Sequence, residues 1–362
     1  MTAAEQGAKI AHLHRYADVR AALLDERLAI YKPLAGPMDE AHSEPDGSQR
    51  APRSHRPAPL LHILTEHLSG TSVAEIAARA REIASGLIER GLGRGEMDLV
   101  ADLACPLPLM IMQDLLGLPQ IEIEKLHSLF AAITAGQEME ASDHSLHLAR
   151  LAQFSIMRWI AKHMDASQSP LMTAVRRAAK ESSMEQAASY WCTMLLYAGS
   201  TTTRDFIANC LARLLEHSEE AALLHDNPAL LESALEELLR IEGPVRAIGR
   251  VVGEDLSIGD LQLRRGTILY LHLDKANRDP ARFPDPERVD FSRRPNPHLA
   301  FGLGVTRCLG LHLAKLEART VLTALLPHLP RMKLAAASQW GSSTILRERT
   351  CVPVRFFKAL VC

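Results

Sequence analysis

The sequence predicts a mainly α protein, a large helical body with a small β portion, folded as a single domain over residues 1–362. Three observations lead there. Apolar residues recur every three to four positions over most of the chain, the period of a helix with one face on a core. Strand-like runs occur only as short pieces between Arg250 and Leu273, separated by Gly and Asp turns. No internal repeat and no shift in composition marks a boundary, although 362 residues would suffice for two or three average domains.

The elements follow in order. Tyr16 to Ala29 is amphipathic and reads as a helix, as do Ser72 to Gly91, Asp102 to Leu116 and Leu146 to Met164. Between Lys32 and Pro59 the chain is rich in Pro, Gly, Ser and His without periodicity, so a long loop is expected; loops of that length are usually disordered or functional. Glu185 to His217 can form one very long helix whose centre is Gly199-Ser200-Thr201-Thr202-Thr203. Glycine there costs about 1 kcal/mol relative to alanine, and Ser and Thr divert hydrogen bonds from the backbone ladder. A bend is expected at that point, and such distortions often coincide with functional sites. Arg250 to Val252, Leu256 to Ile258, Leu261 to Leu263 and Thr267 to Leu273 are the strand candidates, and Leu311 to Leu326 is the last long helix.

Composition excludes several classes of function. The chain is 47% hydrophobic and 23% charged, with a net charge of −2, ordinary values for a soluble globular protein. Nothing in that balance attracts nucleic acid or an anionic membrane. Six scattered cysteines with no Cys-x-x-Cys pair argue against a zinc site or a disulfide framework. The first ten residues lack the apolar centre of a signal peptide, and no apolar run is long enough to span a bilayer. A cytoplasmic protein is expected.

The most informative segment is Phe301-Gly302-Leu303-Gly304-Val305-Thr306-Arg307-Cys308-Leu309-Gly310. Glycines let a backbone turn tightly and lie flat against a ligand. The helix expected behind them points its positive end at the sulfur, favouring thiolate over thiol. A lone thiolate under a glycine loop suits a haem iron that needs an axial ligand; a structural cysteine beside a glycine turn is the plainer alternative.

These residues resemble the haem-binding loop of the cytochrome P450 family, Phe-x-x-Gly-x-His/Arg-x-Cys-x-Gly, and depart from it at Thr306. Other stretches agree in the right order. Ala198-Gly199-Ser200-Thr201-Thr202-Thr203 is similar to the family's oxygen-activation motif, and Glu237-Leu238-Leu239-Arg240 to its Glu-x-x-Arg helix. Ala276 to Pro280 and Phe283 to Arg288 are similar to its meander. The resemblance is strong from about Glu185 onward and diffuse upstream.

The resemblance implies haem b (iron protoporphyrin IX) as cofactor, with Cys308 as the axial thiolate and metal ligand, inside a loop of Phe301, Gly302, Gly304, Thr306 and Gly310. Ala198 and Gly199 would leave room for dioxygen and substrate, and Thr202 would steer protons to the oxygen being cleaved. The family's Asp or Glu before that threonine is Thr201 here, a hydroxyl that can pass a proton but cannot hold a charge as a carboxylate does. Arg250 would bind a haem propionate, for which a guanidinium is a bidentate match. Thr306 replaces the histidine of the second grip, and the usual His-x-x-x-Arg helix is half matched by His62, with Glu66 in the arginine's place. Arg307 or His67 are candidates to compensate. Glu237, Arg240 and Arg288 would form a buried support for the cysteine loop rather than act as catalysts. Val245 and Ala247 would face the substrate along an extended backbone. Arg246 would face either the pocket, suiting an acidic substrate, or solvent or a propionate.

The implied function is a haem-thiolate monooxygenase that inserts one oxygen atom from dioxygen into a small organic substrate, in natural-product metabolism. Its electrons would come from a ferredoxin or flavodoxin with an NAD(P)H-dependent reductase, since no flavin or iron–sulfur segment is visible in the chain. Thr201 keeps a peroxygenase, an isomerase or a dehydratase open, and the altered propionate set keeps open a haem protein without catalysis. The family usually carries a helix and strand before the segment resembling Ala11 to Ala29; most of these are missing here, which implies either a more open pocket entrance or a shortened start.

Overall fold

A helix that is apolar on nearly every side must run through the middle of a protein, and residues 185–216 form one. The structure is a computed structural model and describes residues 9–31, 33–34, 63, 66–67, 71–181 and 185–357. In chain order the elements are β1 (Ile10–Leu13), α1 (Tyr16–Leu24), β2 (Leu28–Ile30), α2 (Thr71–Arg94), β3 (Glu96–Asp98), α3 (Pro106–Leu116), α4 (Ile123–Ala135), α5 (Asp143–His163), α6 (Pro170–Glu181) and α7 (Glu185–Glu216). Then come α8 (Ser218–Asp226), α9 (Leu231–Glu242), β4 (Ala247–Val252), β5 (Leu256–Ile258), β6 (Leu261–Leu263), β7 (Ile268–His272), α10 (Leu273–Ala276) and α11 (Leu311–Leu325). Four short strands close the chain: β8 (Met332–Leu334), β9 (Gln339–Trp340), β10 (Arg349–Cys351) and β11 (Pro353–Phe356).

The expected mainly α body with a small β portion is what forms. The largest sheet has the order β1-β7-β4-β2. β1 runs parallel to β7 with Ile10 opposite Ile268, and β4 pairs antiparallel with both β7 and β2. Two hydrophobic cores result. The larger gathers α2 to α9 and α11, with α7 packed against α3, α5, α6 and α11. The smaller lies beneath the sheet and joins Val19 of α1 to Leu28, Val252, Leu269 and Leu271.

Two expectations are corrected. The helix expected over Tyr16 to Ala29 stops at Leu24, because residues 28–30 pair with β4 as a strand instead. Asp102 to Leu116 is not one helix: Val100–Ala104 is a π-helical turn and α3 begins at Pro106, where a residue lacking an N–H costs nothing. Through the Gly199 to Thr203 stretch, α7 stays helical from Glu185 to Glu216. The Thr202 hydroxyl donates to the Ala198 carbonyl one turn back, at 2.8 Å, while the helix continues. The long loop expected from Lys32 to Pro59 lies, apart from residues 33–34, outside the described residues, as does His62.

Candidate active site

The cysteine loop sits at the seam of the two cores. Ala300 belongs to the larger core, with Phe301 and Leu309 packed on it, whereas Leu299 belongs to the smaller and Leu303 packs there. The chain must therefore turn back and forth within a few residues, and glycine makes this possible. Gly302 and Gly304 have φ of +66° and +68°, a region that side-chain-bearing residues rarely enter. Gly310 does not share that reason: its φ is −82° and it caps α11. The loop is closed by the Cys308 N–H, which donates to the Phe301 carbonyl at 2.8 Å, and by the Arg307 N–H, which donates to Gly304 at 3.1 Å. Cys308 is half-buried and α11 starts three residues later, so the free N–H groups of that helix lie next to the sulfur in sequence.

Arg250 comes from β4 and reaches the same loop. Its guanidinium is buried, and one nitrogen donates to the Thr306 hydroxyl at 3.0 Å while another donates to the Gly249 carbonyl at 3.0 Å. Arg250, expected at a propionate, is thus hydrogen-bonded to Thr306, the residue that replaces the histidine of the second grip. Arg246 reaches Asp274 at 3.5 Å and donates to the Ser343 carbonyl at 3.3 Å. Of its neighbours, Ala247 is buried and Val245 forms a bridge with Leu346.

Behind the loop lies a buried charge network built on α9. Glu237 and Arg240 are fully buried and paired at 2.7 and 2.9 Å. Arg240 also donates to the carbonyls of Asn277, Pro286 and Arg288, and Glu237 accepts from the Asp290 N–H and from Asn296, each at 3.0 Å. Burial opposes the Glu237 charge, yet donation from Arg240, Asp290 and Arg293 holds its carboxyl below the usual range. The third arginine of this network is Arg293, whose Nε donates to Glu237 at 3.0 Å. Arg288, expected in that role, supplies only its carbonyl, to Arg240 and Arg293; its side chain is exposed. The chain between α10 and the cysteine loop passes Glu237 with residue 293, not 288, turned toward the core, which sequence spacing within the meander does not reveal.

The long helix α7 carries the other expected residues. From Trp191 to Ala212 it is buried except at Met194, Leu195, Ala198, Gly199 and Thr202. Their spacing of three and four puts Leu195, Ala198, Gly199 and Thr202 on one strip. Gly199 has a packing reason as well, since a Cβ there would lie 2.8 Å from the Met112 sulfur of α3. Thr201 is buried on a different face, and its hydroxyl has no partner. It forms part of the wall of a cavity of about 600 Å³ shared with Thr134, Glu138, Arg204, Tyr270 and Thr344; Val245 and Ala247 lie outside that wall.

Fold and loop together describe a mostly helical protein that presents one thiol between two cores. The family described as "Cytochrome P450" matches residues 161–330. Cytochrome P450 107B1 of Saccharopolyspora erythraea is 32% identical over 361 residues, covering 94% of this chain and 88% of its own length. Nocardicin C N-oxygenase of Nocardia uniformis subsp. tsuyamanensis is 30% identical over 355 residues, with 94% and 88% covered. Among solved structures, P450BioI in complex with hexadec-9Z-enoic acid ligated acyl carrier protein has a TM-score of 0.84 at 28% identity, covering 96% of this chain and 92% of that one. The chain belongs to the cytochrome P450 family and is an oxidoreductase.

That family binds haem through a cysteine thiolate, and the residues present here fit the group. One half-buried thiol and a buried guanidinium meet at the same loop. A Cβ built at Gly302 would come no closer than 3.9 Å to any atom, and one at Gly310 would meet nothing within 4 Å. The loop therefore leaves room at Gly302 and Gly310, whereas a Cβ at Gly304 would lie 3.1 Å from Leu24. Among the described residues no group of three or more His, Cys, Asp or Glu could hold a metal ion, and no helix is long and apolar enough to cross a membrane.

Proposed function

We propose that this chain is a single-domain haem-thiolate monooxygenase that inserts one oxygen atom from dioxygen into a small organic substrate of natural-product metabolism. The supporting observation is Cys308 itself, a thiol tied by its own N–H to a loop that two left-handed glycines turn at the seam of the two cores. Bound there, haem supplies the redox and oxygen chemistry. Cys308 is the residue to ligate it, and Arg250 with Thr306 would receive a propionate, two donors being already grouped at the loop. Ala198 and Gly199 keep the accessible strip of α7 low, and Thr202 holds a hydroxyl at the edge of that strip. Electrons come from a ferredoxin or flavodoxin and an NAD(P)H-dependent reductase in the cytoplasm.

The setting is supported by a relative named for N-oxygenation of nocardicin C. The test is the carbon monoxide difference spectrum of the reduced protein. A thiolate signature in the wild type that Cys308→Ser abolishes, with the protein still folded, is the expected result. A wild-type protein that binds no haem, or a signature indifferent to that substitution, would refute the proposal.

A further inference from the structure

The cavity of about 600 Å³ that Thr201 borders has a wall of one predominant charge, and its size suits a small molecule. Three carboxylates line it, Glu138, Glu140 and Glu348, against one permanent cation, Arg204. That cation is fully engaged. Its Nε donates to Asp205 at 2.7 Å, its Nη2 lies 2.5 Å from Asp205 and 3.2 Å from Glu348, and its Nη1 donates to His127. The two imidazoles on the wall add no charge at neutral pH. Burial, then His14, holds His12 below its ordinary pKa, and burial, then Arg204, does the same to His127.

Among the described residues no cation pairs with Glu138 or Glu140. Glu138 is oriented by neutral donors alone: the Ser343 hydroxyl at 2.5 Å, the Thr344 N–H at 2.7 Å and the Thr344 hydroxyl. An ionised carboxylate accepts about four hydrogen bonds, so capacity remains. Both carboxylates act on Tyr270, whose ring belongs to the same wall; burial, then Tyr31, Glu138 and Glu140, pushes its phenol up to about 12.

A second sign of a ligand comes from α7. Thr201 is 4% exposed, borders the cavity, and its hydroxyl has no partner, whereas buried polar groups normally have one. An anion entering this space would meet three carboxylates and no free cation. A neutral molecule that displaced the water would leave Glu138 and Glu140 uncompensated, which is costly. Arg246, the residue that sequence offered for an acidic substrate, reaches Asp274 instead and lies off this wall.

We propose that this cavity binds an organic ammonium ion, a positively charged amine carried on an apolar body. The charge lies by Glu138 and Glu140 and beside the Tyr270 ring, whose face attracts a cation. The body lies against Phe130, Ala131 and Met139, which line the same space. Binding is by charge and burial, and no bond forms or breaks. Such an ion is either the substrate of the reaction proposed above or an effector beside it; its role as substrate rests on the haem-thiolate reading.

Three probes of similar size test the site by isothermal titration calorimetry on the purified chain, with the carbon monoxide spectrum recorded on the same sample. The cation is para-hydroxyphenyltrimethylammonium, its uncharged isostere is para-tert-butylphenol, and the anion is para-hydroxybenzoate. A quaternary ammonium has no lone pair and so cannot ligate the iron itself. The cation is expected to bind roughly tenfold or more tightly than the isostere and to weaken as salt is raised, while the anion does not bind. Glu140→Gln, which leaves the hydrogen bonds of Glu138 untouched, should reduce that preference roughly threefold. Glu138→Gln/Glu140→Gln should abolish it while the isostere binds as in wild type, which shows the cavity intact. A cation that does not bind, equal binding of cation and isostere, tighter binding of the anion, or a preference unchanged in both variants overturns the proposal. A shift of the haem spin state on saturation with the cation marks it as substrate, and saturation with an unchanged spectrum marks an effector site. The two readings fail separately: an intact carbon monoxide signature without a charge preference rejects this site alone, and a charge preference without that signature rejects the haem-thiolate reading alone.

Discussion

Removing one arginine of the meander at a time separates the two candidates for the support network. Arg293→Ala deletes a donor to the buried Glu237 carboxylate at 3.0 Å and two further bonds, to the carbonyls of Pro284 at 3.1 Å and Arg288 at 3.2 Å. A hydrogen bond to a charged group is worth about 1.5–3 kcal/mol. The carbonyl bonds lie where solvent can replace them. Glu237 retains Arg240, Asn296 and the Asp290 N–H, so the loss stays below the ~3–5 kcal/mol of breaking a buried pair outright. About 2 kcal/mol is expected. Arg288→Ala leaves every bond of its carbonyl intact and trims an exposed side chain, so a change within about 0.5 kcal/mol is expected. Urea unfolding followed by circular dichroism, with haem content measured on the same samples, reads both. An Arg288 variant as destabilised as the Arg293 variant, or an Arg293 variant indistinguishable from wild type, would show that the network is built otherwise.

Two further outcomes follow from buried or bridging carboxylates. Glu317 of α11 is fully enclosed with neither oxygen partnered, and burial pushes its carboxyl well above the usual range. A raised acid contributes stability that is complete below its unfolded pKa near 4.5 and is lost as pH rises toward the folded value; Glu317→Gln should therefore gain stability relative to wild type between about pH 5 and 8, and a constant difference across that range would refute it. Glu138 accepts from Ser343 Oγ at 2.5 Å, from the Thr344 N–H at 2.7 Å, and from the Thr344 hydroxyl, clasping the turn after α4 to the segment before β10. Glu138→Ala should cost roughly 1–2 kcal/mol and raise amide hydrogen exchange in residues 136–141 and 342–346 together, whereas unchanged exchange in either segment would rule out the clasp.

Much of the site was legible because its residues lie close together in sequence. Positive φ at Gly302 and Gly304, a helix directly behind Cys308, and the Glu237–Arg240 pair at a spacing of three all depend on neighbours a few positions away. Asp205 and Asn209 were overlooked although a signal existed: a carboxylate and an amide one turn apart inside an otherwise apolar helix are a cost that some partner must offset. No such signal pointed to Arg293. It is one of several arginines in an irregular segment, and only the path of that segment past α9 selects it.

The amino-acid order alone determined the helical periods, the glycine-framed cysteine and the pairing of Glu237 with Arg240, because each is written in spacings of two to seven residues. The tertiary structure decided what distant segments do to one another. It made a strand of residues 28–30 by supplying β4 as a partner, placed Cys308 at the seam of two cores, and joined Arg250 to Thr306 across fifty-six positions. It also enclosed Asp205 so that one oxygen meets Arg204 and the other meets nothing. Burial and long-range contact are properties of the folded chain, and no local spacing encodes them.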